Sequence, residues 1–206
     1  MFRGPSMSEH YFSATPTGPE RRRMITVDLW GKRVSLITAA GVFSPDDLDR
    51  GTAVLLRESP VPDGHVRLLD LGCGYGPIAI ALALHCPTAV IDAVDVNERA
   101  LSLCRENAAA LGVAGRINAS FPDRVDAEAR YDEIWSNPPI RIGKEAVHYL
   151  LRTWLARLKP TGVARLVVAK NLGSDTLQAW LNANGYTCVR TASSKGFRVL
   201  EVRPAR

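Results

Sequence analysis

Apolar and polar positions change period along the chain, and the period names the elements. Arg23 to Leu29 and Arg33 to Thr38 alternate apolar and polar, the pattern of half-buried strands. Trp30-Gly31-Lys32 between them reads as a turn, so the two runs predict a hairpin outside any main sheet. From Val66 onward the pattern is different. Short apolar runs predict strands at 66–71, 89–94, 116–119, 131–136 and 162–169, and longer segments of helix formers predict helices near 76–86, 97–111, 143–158 and 173–184. Strands separated by helices must run parallel, with the helices covering both faces. The last two runs, 186–192 and 197–202, are joined only by Ala192-Ser193-Ser194-Lys195-Gly196, which predicts a hairpin and one antiparallel edge strand. The expected organisation is a flexible segment at 1–20, carrying Pro5, Pro16 and Pro19, and one domain at 21–206 that opens with a hairpin at 21–40.

One stretch departs from simple patterning. The run ending Leu68-Leu69-Asp70-Leu71 leads into Gly72-Cys73-Gly74-Tyr75-Gly76 and then into Pro77-Ile78-Ala79-Ile80. Strand, glycine turn and helix bring backbone close to a ligand and aim the helix's first N–H groups at it. In an open α/β sheet this is where a nucleotide-like ligand sits. The spacing is D-x-G-x-G-x-G rather than a dinucleotide fingerprint, and no lysine follows as in a phosphate loop. The next predicted strand ends at Asp95, 25 residues after Asp70. An acid there accepts ribose hydroxyls and repels a 2′-phosphate. Together these features resemble the S-adenosylmethionine site of class I methyltransferases.

Composition narrows the setting. The chain has 206 residues, 46% of them hydrophobic, with no apolar run of membrane-span length and no signal-peptide core after Met1-Phe2-Arg3-Gly4-Pro5. A cytoplasmic location is expected. Cys73, Cys86, Cys104 and Cys188 form no C-x-x-C pair, and the four histidines have no metal spacing, so no metal is expected and the cysteines read as small buried hydrophobes. The net charge of +5 is unevenly spread: residues 61–137 carry −5 and residues 138–206 carry +9. A basic half beside an acidic ligand-binding half attracts a polyanion, though lysines and arginines also simply solvate helices. Arg21, Arg22 and Arg23 are further candidates to grip phosphate. Ser44, followed by Pro45, Asp46 and Asp47, reads as the cap of a short helical turn. Gly51 and Thr52 then open a helix, placing Thr52 near the methionine end of a bound cofactor.

The chemistry-bearing motif follows the strand at 131–136. Asn137-Pro138-Pro139-Ile140 puts an amide and two prolines at a strand's C-terminal edge. Proline fixes φ and removes donors. The Asn137 amide oxygen and the Pro138 carbonyl are then two acceptors for one cavity. That suits methylation of an exocyclic amine on a planar ring, whose lone pair is delocalised. Two acceptors hold its N–H groups, aim the lone pair and stabilise developing positive charge.

With these stretches in view, the chain resembles the small-domain class I methyltransferases of the ribosomal RNA guanine-N(2) type. The shared stretches are His10-Tyr11-Phe12-Ser13, Gly41-Val42-Phe43-Ser44, Leu48-Asp49-Arg50-Gly51-Thr52, Asp70 to Gly76, Asn137 to Glu145 and Gly196-Phe197-Arg198-Val199-Leu200. The resemblance implies a Rossmann-like α/β fold: a seven-stranded, mostly parallel sheet with its last strand antiparallel and helices on both faces. It implies S-adenosylmethionine as donor and a guanine amine in RNA, ribosomal RNA or a ribosomal subunit, as acceptor. Asp70, Gly72 and Gly74 would hold the methionine portion, Asp95 the ribose, and Asn137 the target amine; Thr52, Asn97 and Asn137 complete the cofactor set. Pro139, Ile140 and Arg141 would meet the substrate, with Lys144, Lys170, Lys195 and Arg198 on its phosphates. Two positions depart from many relatives. Ile140 replaces an aromatic residue, and Ser120 stands where an acid contacts adenine. The larger members carry a second, degenerate domain for RNA binding, which has no counterpart in these 206 residues. Three other readings stay open: a protein glutamine N-methyltransferase, a methyltransferase for a small aminated metabolite, and a non-catalytic cofactor-binding scaffold.

Overall fold

The computed structural model describes residues 21–64 and 66–205. The expected flexible segment and the His10-Tyr11-Phe12-Ser13 stretch lie outside the described residues. The chain runs β1 (Arg22–Leu29), β2 (Lys32–Ala39), α1 (Arg50–Glu58), β3 (Arg67–Leu71), α2 (Pro77–His85), β4 (Val90–Val94), α3 (Glu98–Ala110), β5 (Ile117–Ser120), β6 (Tyr131–Ser136), α4 (Lys144–Leu155), β7 (Leu158–Ala169), α5 (Ser174–Ala183), β8 (Tyr186–Ser194) and β9 (Phe197–Pro204).

β1 and β2 form their own antiparallel sheet, as the alternation predicts, in full register from Arg22↔Ala39 to Leu29↔Lys32. The turn is two residues, Trp30 and Gly31, at φ 52° and 83°. Positive φ at both positions matches the twist of the strands it joins. The hairpin buries Val27, Leu29, Leu36 and Ala39 into the core shared with α1, α2 and α3. Asn107 of α3 fastens it: its Oδ1 accepts from the Ile37 N–H at 2.7 Å, and its Nδ2 donates to the Ile37 carbonyl at 2.8 Å and the Tyr75 carbonyl at 3.0 Å. Of the candidate phosphate-gripping arginines, Arg22 pairs at the surface with Glu106 and Arg23 with Asp46.

The seven main strands lie in the order β5-β4-β3-β6-β7-β9-β8. β3, β4, β5, β6 and β7 are mutually parallel. α1, α2 and α3 cover one face; α4 and α5 cover the other, over Leu69, Ile134, Leu166 and Leu200. The antiparallel strand is indeed the last, but it is not the edge. β9 inserts between β7 and β8, pairing antiparallel with both, and β8 takes the edge. The cause is burial: β9 is buried on both faces, whereas β8 shows only Cys188 fully inside. β7 also begins earlier than its apolar run suggests. Leu158 pairs with Tyr131, then the chain bulges before Val163 meets Glu133. α4 accordingly ends at Leu155. Among the described residues no helix is long and apolar enough to cross a membrane, and no cluster of three metal-ligating side chains is present.

Candidate active site

The sheet reverses its winding between β3 and β6, neighbours in space but separated in sequence by two strands, β4 and β5. The loops leaving their C-terminal ends diverge there, and such switch points form ligand crevices. A cavity of about 800 Å³ opens at this place. It is lined by Gly72 and Gly74 after β3, Asp95 and Asn97 after β4, Asn137 to Arg141 after β6, and Asp49 and Thr52 of α1. Residues from Val42 to Phe197 thus share one wall system.

The glycine loop is built as expected. Gly72, Gly74 and Gly76 sit at φ 78°, 55° and 93°, where L side chains are strained. At Gly76 a Cβ would also meet Cys104 Sγ of α3 at 2.7 Å, so glycine lets α2 and α3 close together under the loop. Asp95 braces the loop from β4. Its Oδ2 accepts the Gly74 N–H and its Oδ1 the Asn97 N–H, each at 2.9 Å. Burial pushes this carboxyl up, against the pull of those backbone donors. Each oxygen keeps a lone pair for a hydroxyl.

The Asn137 loop is stiffer than two prolines alone would make it. The Ile140 N–H donates to the Pro138 carbonyl at 2.8 Å, with Pro139 at φ −75°, ψ 69°. That is an inverse γ-turn. It engages one lone pair of the Pro138 carbonyl, the expected second acceptor, and leaves the other. The Asn137 Nδ2 donates to Asp49 Oδ1 at 2.6 Å and to Thr52 Oγ1 at 3.2 Å. A carboxylate only accepts, so the amide's nitrogen faces α1 and its oxygen faces the other way.

Thr52, Gly72, Gly74, Asp95, Asn97, Asn137, Pro138, Pro139, Ile140 and Arg141 all line the cavity. Six expected site residues do not. Asp70 is wholly buried beneath the loop, its Oδ2 accepting the Ala79 N–H at 2.9 Å; it anchors α2 rather than facing a ligand. Ser120 lies off the cavity with its hydroxyl buried, although Pro122, two residues further on, reaches the wall. Arg198 is buried in β9 and paired with Asp175, so it is not a free phosphate ligand. Lys144 begins α4 beside Arg141, and Lys170 directly follows the wall residue Ala169; both are exposed. Lys195 sits at the β8–β9 turn, next to Gly196, whose carbonyl accepts the Lys170 N–H at 2.8 Å. It lines a separate cleft of about 320 Å³ with Arg50 and Arg57. Asn97 touches the cavity, but its polar atoms are spent. Its Oδ1 caps α3 through Arg99 and Ala100, and its Nδ2 donates to the Gly41 carbonyl at 2.9 Å. Ser44 caps nothing. It has φ 52°, and its hydroxyl donates to the Asp47 carbonyl at 2.7 Å.

Patterning missed Asp49, Tyr75, Phe43 and Phe197. Asp49 is the true N-cap of α1, accepting the Thr52 N–H at 2.9 Å; the D-x-x-T spacing was the available signal. Tyr75 lines the cavity, and its buried hydroxyl has no partner among the described residues. Burial, with Asp49 and Asp47 nearby, pushes that phenol up, so it stays a donor. Phe43, 51% exposed, and Phe197 supply the aromatic walls that Ile140 does not.

A seven-stranded sheet of this order, with a braced glycine loop and an amide at its switch point, defines a Rossmann-like methyltransferase domain. The chain belongs to the methyltransferase small-domain family, whose model matches residues 33–201. It is 34% identical over 172 residues to the uncharacterized protein YbxB of Bacillus subtilis (strain 168), covering 82% of this chain and 86% of that one. It is 33% identical over 151 residues to ribosomal RNA small subunit methyltransferase C of Shewanella sp. (strain MR-4), covering 71% of this chain but only 43% of that one. In fold it is similar to the T. thermophilus 16S rRNA N2 G1207 methyltransferase (RsmC) in complex with AdoMet and guanosine. The TM-score is 0.77 at 23% identity, over 91% of this chain and 52% of that one. The chain spans about half the length of these ribosomal RNA methyltransferases.

Proposed function

We propose that this chain is a S-adenosylmethionine-dependent N-methyltransferase whose acceptor is an exocyclic amine, guanine N2 in ribosomal RNA, acting in the cytoplasm. One observation carries the reading. The Asn137 nitrogen is spent on Asp49 and Thr52, which leaves its oxygen as the amide's uncommitted end on a residue that lines the same cavity as Asp95 and the glycine loop.

The residues present fit the donor. Asp95 has lone pairs for ribose hydroxyls, Gly72 and Gly74 bring backbone to the wall, and the Tyr75 hydroxyl is an unmet donor suited to a carboxylate. Asp70 supports the loop from below. When bound, S-adenosylmethionine supplies a methyl group on a positively charged sulfur, so no acid is needed for the leaving group. Asn137 Oδ1 and the free lone pair of the Pro138 carbonyl accept the two N–H groups of the amine. Holding both turns the nitrogen lone pair out of the ring plane and stabilises positive charge forming there. Ile140, Phe43 and Phe197 wall the ring and exclude water. Arg141, Lys144, Lys170 and Lys195, with Arg50 in the neighbouring cleft, supply cations for the flanking phosphates of a base turned out of its stack.

The test uses methyl-labelled donor with RNA and protein from cells lacking the gene. Label should enter RNA, as a guanine methylated on N2. Label in protein alone would transfer the reading to a glutamine amide. Asn137→Ala should lower transfer by about 10²–10³-fold while donor affinity stays within about threefold, as calorimetry would show; loss of donor binding would mean that Asn137 is misassigned.

A further inference from the structure

We propose that Asp49 is a positioning residue for methyl transfer: it fixes which end of the Asn137 amide faces the cavity. The proposal deepens the function proposed above and rests on it only for its kinetic arm.

An asparagine amide has two ends of nearly the same size and opposite hydrogen-bonding sense. Only the oxygen can hold an amine's N–H. An amide free to turn would present its NH₂ group part of the time and repel the substrate it must grip. Here Asp49 Oδ1 accepts from Asn137 Nδ2 at 2.6 Å and from the Thr52 N–H at 2.9 Å. Thr52 Oγ1 takes a second contact from Nδ2 at 3.2 Å. A charge-assisted bond of this length is among the stronger ones proteins make. The reversed amide would set its oxygen against the carboxylate, two acceptors with no proton between them. Charge assists too: as the amine nitrogen becomes positive, a carboxylate behind the amide polarises its oxygen toward that charge.

The local architecture protects this contact. Asp49 caps α1, and Gly51 follows two residues later. A Cβ at Gly51 would meet Asp49 Oδ1 at 2.9 Å, Phe197 Cε1 at 3.1 Å and Asn137 Nδ2 at 3.2 Å. Glycine there leaves the room in which α1, β9 and the Asn137 loop converge. Asp49 Oδ2, by contrast, has no protein partner among the described residues, and Asp49 lines the cavity. An asparagine at position 49 could therefore keep both acceptor bonds through its Oδ1 and turn its NH₂ group to open space.

That asymmetry separates positioning from capping. Serine at 49 still caps a helix, but its oxygen sits one bond nearer the backbone and cannot also reach Asn137. Asp49→Ser and Asp49→Ala should both lose about 10²-fold in kcat, with KM for donor and donor affinity within about threefold. Asp49→Asn should recover most of that loss and stay within about fivefold of the natural protein. Full kcat in Asp49→Ser would overturn the proposal, leaving Asp49 a cap only. A loss confined to donor affinity would overturn it too, by showing that Asp49 holds the donor instead. A second measurement needs no substrate. In ¹⁵N NMR spectra, with Asn137→Asp assigning the signal, the Asn137 NH₂ protons should exchange slowly in the natural protein and Asp49→Asn, and fast in Asp49→Ser. Fast exchange in the natural protein would sink the proposal even if RNA is the substrate. Slow exchange lost in Asp49→Ser would uphold the contact even if the substrate proves to be something else.

Discussion

Asp70 is the side chain whose environment differs most from its apparent role. It opens the glycine motif, yet none of its surface reaches solvent or cavity. Burial pushes its carboxyl from the ordinary 3.8 up to about 7, although the Ala79 N–H pulls the other way. Between those two values the folded protein retains a proton that the unfolded chain has released. Stability should therefore fall as pH rises from about 4 through about 7, and level off above. Asp70→Asn keeps an acceptor for Ala79 and removes the charge, so its urea midpoint should change less between pH 5 and pH 8 than that of the natural protein. An identical pH dependence would contradict this account. At this scale, residue type and spacing showed where an acid, a glycine or an amide stands, but not what surrounds it. Asp95 and Asn137 reach the cavity. Ser120 and Asp70, equally conspicuous in the sequence, do not, because burial depends on the neighbouring strand and helix rather than on the residue itself.

Among the elements, the β1–β2 hairpin shows what local pattern can and cannot do. Alternation and a glycine-bearing turn sufficed to predict it, and the two-residue turn holds the register. An isolated two-stranded hairpin is marginal in water. This one is held by Asn107, whose amide completes the hydrogen bonding of Ile37 and also grips the Tyr75 carbonyl of the glycine loop. Asn107→Ala should cost about 2 kcal/mol, since it leaves buried backbone groups unpaired. It should also speed amide exchange at Ile37 more than at Leu69 in the interior strand β3; equal effects at both sites would deny that Asn107 is a local fastening. No sequence pattern marks Asn107, because a polar residue within a helix normally faces water. The placement of β9 inside β8 is a similar case. The hairpin was legible from its short connection, while the choice of inner strand followed from which one could bury both faces.

At the scale of the molecule, charge is the property that extends furthest. Residues 138–206 carry +9, but the fold spends part of it: Arg165 lies between Glu133 and Glu201, Lys159 on Asp132, and Arg198 on Asp175. What remains near the cavity includes Arg141, Lys144, Lys170 and Lys195. RNA affinity should fall steeply with salt, and Lys195→Ala should make the log–log slope shallower by about 0.7, one single-strand phosphate contact. Fluorescence anisotropy over a salt series reads this directly, and an unchanged slope would remove Lys195 from the RNA path. Sequence alone determined the alternation of strand and helix, because the period of burial is written into the order of apolar residues. It also determined the glycine loop and the Asn-Pro-Pro turn, because those backbone restrictions are properties of the residues themselves. Only the tertiary structure decided the site. Asp49 and Asn137 stand 88 residues apart and meet through a bond of 2.6 Å, and nothing shorter-ranged than the packing of α1 against the end of β6 could bring them together.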